Sequence, residues 1–200
     1  MNKDLRKLFA DKAGVKIDLG CGEHKQGPEW IGVDVRKMKG VEIVQDLEKF
    51  PWADIPDECA NLVMASHVVE HINPAGGIFL KFMDEVWRIM KPGGQFMISL
   101  PYAGSSGFWQ DPTHVNGCNE TTWTYFDPLA RDAFGRPYNL YFIYRPKPWK
   151  IDKCSYSLDG FMEVLLIKRR VDKSYMTLPN FENKKEDNKK QNGKSNAGKK

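Results

Sequence analysis

The run Val15–Leu19 is five residues long and stops on the glycine turn Gly20-Cys21-Gly22. A short apolar run closed in this way is what a buried strand of a parallel sheet looks like in sequence. The unit recurs. Trp30–Val35, Val41–Gln45 and Leu62–Ser66 are further strand-like runs. Over Gly77–Met90 the period changes. Ile78, Phe82, Val86 and Ile89 recur at helical spacing with charges between them, and Lys91-Pro92-Gly93-Gly94 ends the helix. Gln95–Leu100 follows as a fifth strand. Tyr138–Tyr144 and Phe161–Ile167 are expected to form a late antiparallel pair joined by a Pro- and Lys-rich loop. This order predicts an open, mostly parallel α/β sheet. Such sheets bind ligands outside the carboxyl ends of their strands, near the point where strand order reverses, so the residues just after each strand are the candidates.

Length and charge narrow the function. Two hundred residues make one domain with a tail, and 41% apolar residues suffice for a core. No run approaches the roughly 18–20 apolar residues that cross a bilayer. The N-terminus has no apolar stretch followed by a cleavage site, so a cytoplasmic chain is expected. Cys21, Cys59, Cys118 and Cys154 form no CxxC pair and read as reduced thiols. Residues 181–200 carry seven lysines against Glu182, Glu186 and Asp187, so the whole net charge of +4 sits there. Residues 1–180 hold 23 basic and 23 acidic side chains and are read as the folded domain. The tail is expected to be disordered and solubilising, with a basic arm for polyanions as the other reading. An electrically balanced domain argues against a nucleic-acid substrate.

After the first strand, Gly20 and Gly22 let the chain turn sharply and let a ligand approach the backbone. The third glycine of a dinucleotide fingerprint would fall at Lys25, which counts against an NAD-linked oxidoreductase. After the second strand, Asp34 is placed either to accept both hydroxyls of a ribose or to serve as a loop carboxylate. After the third come Asp46 and Leu47, a carboxylate beside an apolar side chain that suits an adenine. After the fourth come Ser66 and His67.

In KIDLGCG (16–22), WIGVDV (30–35), QDLEKFPW (45–52), ANLVMASHVVEHI (60–72) and DEVWRIMKPGGQFMISLP (84–101), the chain resembles the class I S-adenosylmethionine-dependent methyltransferases, especially the small type-11-like group. The resemblance implies a Rossmann-like sheet of about seven strands, with helices on both faces and an antiparallel late pair. It also implies an enzyme whose cofactor is S-adenosyl-L-methionine. Gly20, Cys21 and Gly22 would pass the methionine part of that cofactor, with Asp18 bracing the turn. Asp34 would hold the ribose and Asp46 with Leu47 the adenine, while Ser66 and His67 would lie near the methyl group. Only seven residues, Glu23–Glu29, separate Gly22 from Trp30, and the usual first helix does not fit. Lys25 is then a candidate for the cofactor carboxylate. The spacer before the third strand is equally short.

Methyl transfer from a sulfonium asks the protein for alignment, and for a base only where the acceptor must lose a proton. The acceptor side is expected in the segment after the fifth strand, Ser105–Asn116. There Asp111 and His114 frame a turn preset by Pro112. A similar Asp-Pro-x-His stretch occurs in small methyltransferases that resemble saccharide-modifying ones. A carboxylate-held histidine is a natural general base, and the alternative is that both residues only shape the turn. His67, His71, Asp111 and His114 could form a metal set, but the family resemblance accounts for the segment around His71 without one, and no metal is expected. The Asn/Asp-Pro-Pro-aromatic motif of amino-methylating DNA enzymes, a Pro-Cys nucleophile and the paired glutamates of arginine methyltransferases are all missing. The expected acceptor is therefore an oxygen or nitrogen of a small molecule or glycan. The rivals are a non-catalytic cofactor-binding module and a nucleic-acid-directed enzyme.

Overall fold

A computed structural model describes residues 3–10 and 14–172. The tail expectation for residues 181–200, and the exact end of the domain, lie outside the described residues. Seven strands form one sheet: β1 (Val15–Leu19), β2 (Trp30–Asp34), β3 (Val41–Val44), β4 (Ala60–Ser66), β5 (Met90–Pro101), β6 (Trp149–Tyr156) and β7 (Phe161–Lys168). Their order is β3-β2-β1-β4-β5-β7-β6. Strands β1 to β5 pair in parallel, and β7 runs antiparallel to both β5 and β6. The helices are α1 (Lys3–Phe9), α2 (Ile78–Ile89), α3 (Ser106–Trp109), α4 (Glu120–Thr124) and α5 (Tyr141–Tyr144). This is the expected mostly parallel Rossmann-like sheet. As the short spacers predict, no helix lies between β1 and β2 or between β2 and β3.

The parallel strands form because alternate residues meet a common core. Ile17, Leu19, Val33, Val63 and Phe96 are fully buried against Phe82, Val86 and Ile89 of α2. Aromatic rings thicken this layer: Trp52 meets Phe82 edge-on at 5.8 Å, and Phe96 lies 5.8 Å from Trp149. Burying one such side chain contributes about 1.5–3 kcal/mol. Across the sheet's other face, Met64, Met97 and Leu165 stand in register, with Met97 exposed.

One element departs from the sequence reading. The late antiparallel pair is β6 with β7, and Tyr138–Tyr144 is not a strand but a segment ending in the short helix α5. Tyr141 is buried there with its hydroxyl donating to the Pro146 carbonyl, and Arg145 closes the turn in the left-handed region. The partner strand comes from what reads as a Lys-rich loop. Trp149 is buried and Ile151 half-buried while the lysines between and after them face solvent, the one-sided pattern of an edge strand.

The strand order reverses between β1 and β4. Their carboxyl ends, Leu19 and Ser66, therefore open the crevice in which this architecture binds ligands.

Candidate functional site: a glycine loop and a histidine-lined cleft

The loop after β1 is set by backbone geometry. Gly20 and Gly22 have φ of 64° and 53°, a region that favours glycine. Gly20 N–H and Cys21 N–H both donate to the Val33 carbonyl, at 2.7 and 3.2 Å, which pins the loop to β2. A Cβ on Gly20 would stand 2.4 Å from Cγ2 of Val68, so the loop and the segment after β4 touch only because position 20 has no side chain. Asp34 is buried and reaches back to this loop. Its Oδ2 accepts the Gly22 N–H at 3.0 Å, and its Oδ1 accepts the Arg36 N–H at 2.9 Å. Asp18 is also buried and accepts the Gln26 N–H at 2.9 Å. Its burial pushes the carboxyl pKa up, against that hydrogen bond and the nearby Lys25 charge. Burial, helped by Asp18, Asp34 and Glu42, raises the Cys21 thiol to about 11, so it stays protonated at neutral pH.

Two sequence candidates on this side hold partners of their own. The Lys25 ammonium, assigned by the spacing argument to the cofactor carboxylate, sits 2.6 Å from Glu42 Oε1. Glu42 Oε2 also accepts the Gly32 N–H at 2.6 Å. Lys25 thus ties the loop to β3, because Gly32 pairs with Val41 and brings Glu42 beneath it. Asp46 accepts the Glu48 N–H at 3.0 Å and pairs with Lys49 at 3.1 Å, while Leu47 beside it is buried.

Beyond the ends of β4 and β5 lies a cleft of about 300 Å³, lined among others by His67, Glu70, His71, Asp111, His114 and Phe161. Ser66, the last residue of β4, pairs with Ser99 of β5 beneath it. His67 follows with φ of 55°, its ring edge-on to Phe161 and its Nδ1 3.2 Å from Glu70 Oε1. The Asp-Pro-Thr turn is held by Asp111 Oδ1, which accepts both the Thr113 N–H at 2.8 Å and the Thr113 hydroxyl at 2.7 Å. Those two bonds hold the Asp111 carboxyl below its usual range. Since the Thr113 hydroxyl gives its hydrogen to Asp111, it accepts from His71 Nδ1–H at 3.1 Å. His114 is fixed in the same way, with its Nδ1–H donating to the Phe108 carbonyl at 2.8 Å. In the neutral form each ring therefore carries its lone pair on Nε2. The two rings stand 4.8 Å apart, and His114 Nε2 is 3.9 Å from Asp111 Oδ2.

The structure thus brings Ser66, His67, Asp111 and His114 to one end of the sheet, and Asp18, Gly20, Cys21, Gly22 and Asp34 to the adjoining loop. Sequence reasoning gave no role to Glu70, which has no exposed surface although it lines the cleft wall. An acid inside the apolar run Val68-Val69-Glu70-His71-Ile72 was the available signal.

Comparison with known proteins bears on the family of residues 17–98 and on the fold. Residues 17–98 match the type-11 family model described as a methyltransferase domain. Malonyl-acyl-carrier-protein O-methyltransferase of Nitrosospira multiformis is 29% identical over 108 residues, which are 48% of this chain and 33% of that protein. The chain therefore spans about a third of the length of the curated relative it matches. Among solved structures, a variant of the 16S rRNA (adenine(1408)-N(1))-methyltransferase of Catenulisporales acidiphilia superposes with a TM-score of 0.52 at 15% identity, covering 84% of this chain and 91% of that one. A SAM-dependent methyltransferase of Archaeoglobus fulgidus gives 0.52 at 20% identity, covering 82% and 90%. At these identities the likeness is one of fold.

Proposed function

We propose that the chain is a class I S-adenosylmethionine-dependent methyltransferase of the type-11-like group and that it moves the cofactor's methyl group to an oxygen or nitrogen of a small molecule or saccharide held in the histidine-lined cleft. The observation that carries this reading is the contact of Gly20 with Val68. It places the end of the glycine loop directly beside the segment that leads into the cleft.

Gly20 and Gly22 leave room along the loop for the cofactor's methionine part, and Asp34, which already orders the Gly22 amide, has lone pairs left for the ribose. Leu47 with Asp46 forms the adenine side, and Cys21, Asp18 and Lys25 brace the loop from beneath. When bound, the cofactor supplies a methyl carbon activated by its sulfonium. The acceptor's lone pair displaces the neutral thioether in line, so the chain's contribution is alignment and removal of the acceptor proton. His114 Nε2 opens onto the cleft as a lone pair and takes that proton, with Asp111 3.9 Å away to stabilise the charge that forms. His67 and Ser66 border the path of the methyl group. A cleft of about 300 Å³ is at the small end of ligand sites, which run to roughly 1,000 Å³, and it suits a single ring or a short polar group. The electrically balanced residues 1–180 also favour such an acceptor over RNA or DNA.

Incubation with methyl-labelled S-adenosylmethionine and a fractionated cell extract tests the proposal. Label is expected in the small-molecule or saccharide fraction. Label confined to RNA overturns the acceptor class, and no cofactor binding by calorimetry overturns the proposed activity.

A further inference from the structure

Glu70 lies in the 3₁₀ turn Val69–His71, with none of its surface exposed. A buried carboxylate is costly unless it is paired. Oε1 has His67 Nδ1 at 3.2 Å, but Oε2 is buried and takes no hydrogen bond. The position is held firmly. The Glu70 carbonyl accepts both the Val115 and Asn116 N–H groups, at 2.9 and 3.0 Å, and Asn116 Nδ2 donates to the Val69 carbonyl at 3.0 Å.

His71 and His114 each bring a nitrogen to this carboxylate, so that all three ligand atoms lie within 4.8 Å of one another. Their Nδ1–H groups are already committed, one to Thr113 and through it to Asp111, the other to the Phe108 carbonyl. Two imidazole nitrogens and a carboxylate oxygen therefore converge, and with both Nδ1–H groups committed elsewhere the lone pairs left to these rings are those of Nε2. Such an arrangement repels itself unless a cation sits at its centre. Two imidazoles and one carboxylate suit first-row transition ions better than Mg²⁺ or Ca²⁺, which favour all-oxygen shells. A hydrogen bond from the far nitrogen of each ring to a carbonyl or a carboxylate-linked hydroxyl is the support that metal-binding histidines carry.

We propose that Glu70, His71 and His114 hold a first-row divalent transition-metal ion, Zn²⁺ or a similar one, with its open positions facing the acceptor cleft. The ligand set differs from the one the sequence suggested and set aside. Glu70 replaces Asp111, whose carboxylate is engaged by Thr113, and His67 instead pairs with Glu70 Oε1. Bonds of about 2.0–2.2 Å in a tetrahedral set need ligand atoms about 3.4 Å apart, so the three atoms close by at most about 1.4 Å. The exposed His71 ring has that freedom. What the ion does there rests on the proposed function: it lowers the pKa of a bound acceptor hydroxyl, whose proton leaves to bulk water. It then replaces the His114 lone pair in that task, since a lone pair bound to metal is not a base. The site itself stands on the three ligands.

Titrating the full chain, stripped by chelator, with Co²⁺ tests this through the visible absorption of the bound ion. One equivalent of Co²⁺ is expected to bind with a four- or five-coordinate spectrum, and Zn²⁺ is expected to displace it. His71→Ala, at an exposed position, and Glu70→Gln are each expected to weaken binding at least tenfold. His24→Ala, outside the cleft, is expected to leave it unchanged. The absence of a spectrum, binding that survives both cleft variants, or binding lost in His24→Ala overturns the proposal, and the cluster then holds a proton in place of a metal. Thermal melts of each variant separate ligand loss from unfolding. Calorimetry of the stripped chain with S-adenosylmethionine is independent of the ion, so failure of the methyl-transfer reading is seen separately.

Discussion

Asp34 gives one oxygen to the Gly22 amide and the other to the Arg36 amide, yet each oxygen keeps a second lone pair. Asp34→Ala therefore removes both the proposed ribose contact and the anchor of the loop that would carry the cofactor. Calorimetry should show S-adenosylmethionine bound at least about tenfold more weakly, since two hydrogen bonds of about 1 kcal/mol each are lost. An unchanged affinity would remove Asp34 from the site. Asp18 makes a prediction of the opposite kind. Its folded pKa is raised above the ordinary 3.8 because burial disfavours the charge. The folded state then binds the proton more tightly than the unfolded chain, and stability from this group is lost as pH rises through the raised value. Asp18→Asn keeps an acceptor for the Gln26 amide without the charge. Its melting temperature should match the native protein below the ordinary value of 3.8, exceed it increasingly as pH rises through the raised value, and keep a constant margin above that. A gap that is constant over the whole range would refute this. That Asp34 and Asp46 stand at or just beyond the ends of β2 and β3 was legible because each follows a short apolar run. The partners of Lys25 and Glu70 were not. Glu42 reaches Lys25 only through the register of β2 on β3, and Glu70 is sealed by Val115 and Asn116, some 45 residues along the chain.

Elements were legible where one short run held its whole pattern. Strands β1 to β5 and helix α2 are such runs, and each lies close to its expected place. β6 was hidden because an edge strand has one polar face, and its lysines outweigh Trp149 and Ile151 in any reading of composition. The segment between β3 and β4 was equally silent, since it has no period and is ordered by a helix distant in sequence. Arg88 of α2 donates to the Ile55 carbonyl at 3.0 Å and the Trp52 carbonyl at 3.2 Å, and pairs with Asp57 and with Glu85 at 2.7 Å. Glu85 in turn accepts the Trp52 N–H at 2.7 Å. Arg88→Met keeps the stem but leaves Glu85 without its cation and the Ile55 carbonyl without its arginine donor, while the Trp52 carbonyl keeps the Ile55 N–H at 3.0 Å. The expected loss is about 2–3 kcal/mol in urea unfolding, below the ~3–5 kcal/mol of a fully buried pair because Arg88 is partly solvated. A loss under about 0.5 kcal/mol would show that the loop holds its place without this arginine.

In the whole molecule the glycine loop and the histidine-lined cleft are built by different parts of the sheet, and they meet where Gly20 faces Val68. Gly20 cannot retreat, because two amides of its loop are fixed on the Val33 carbonyl. A methyl group at position 20 must therefore displace Val68, from which it would stand only 2.4 Å away, and its backbone would also be strained at a φ of 64°. Val68 leads directly into the turn that carries Glu70 and His71, so the displacement passes into the proposed metal ligands. Gly20→Ala should then weaken S-adenosylmethionine and Co²⁺ binding together. Asp34→Ala should weaken only the first, and His71→Ala only the second. The strain and the clash are expected to cost about 1–3 kcal/mol, which thermal melts will read. The double variant Gly20→Ala with Val68→Ala removes the clash and leaves the backbone strain. It should recover Co²⁺ binding while cofactor affinity stays low, because the added methyl group still occupies the loop surface. If Gly20→Ala leaves Co²⁺ binding intact in a folded protein, the two halves are not coupled through this contact. Recovery of both affinities in the double variant would instead show that position 20 matters only for packing against Val68 and does not border the cofactor.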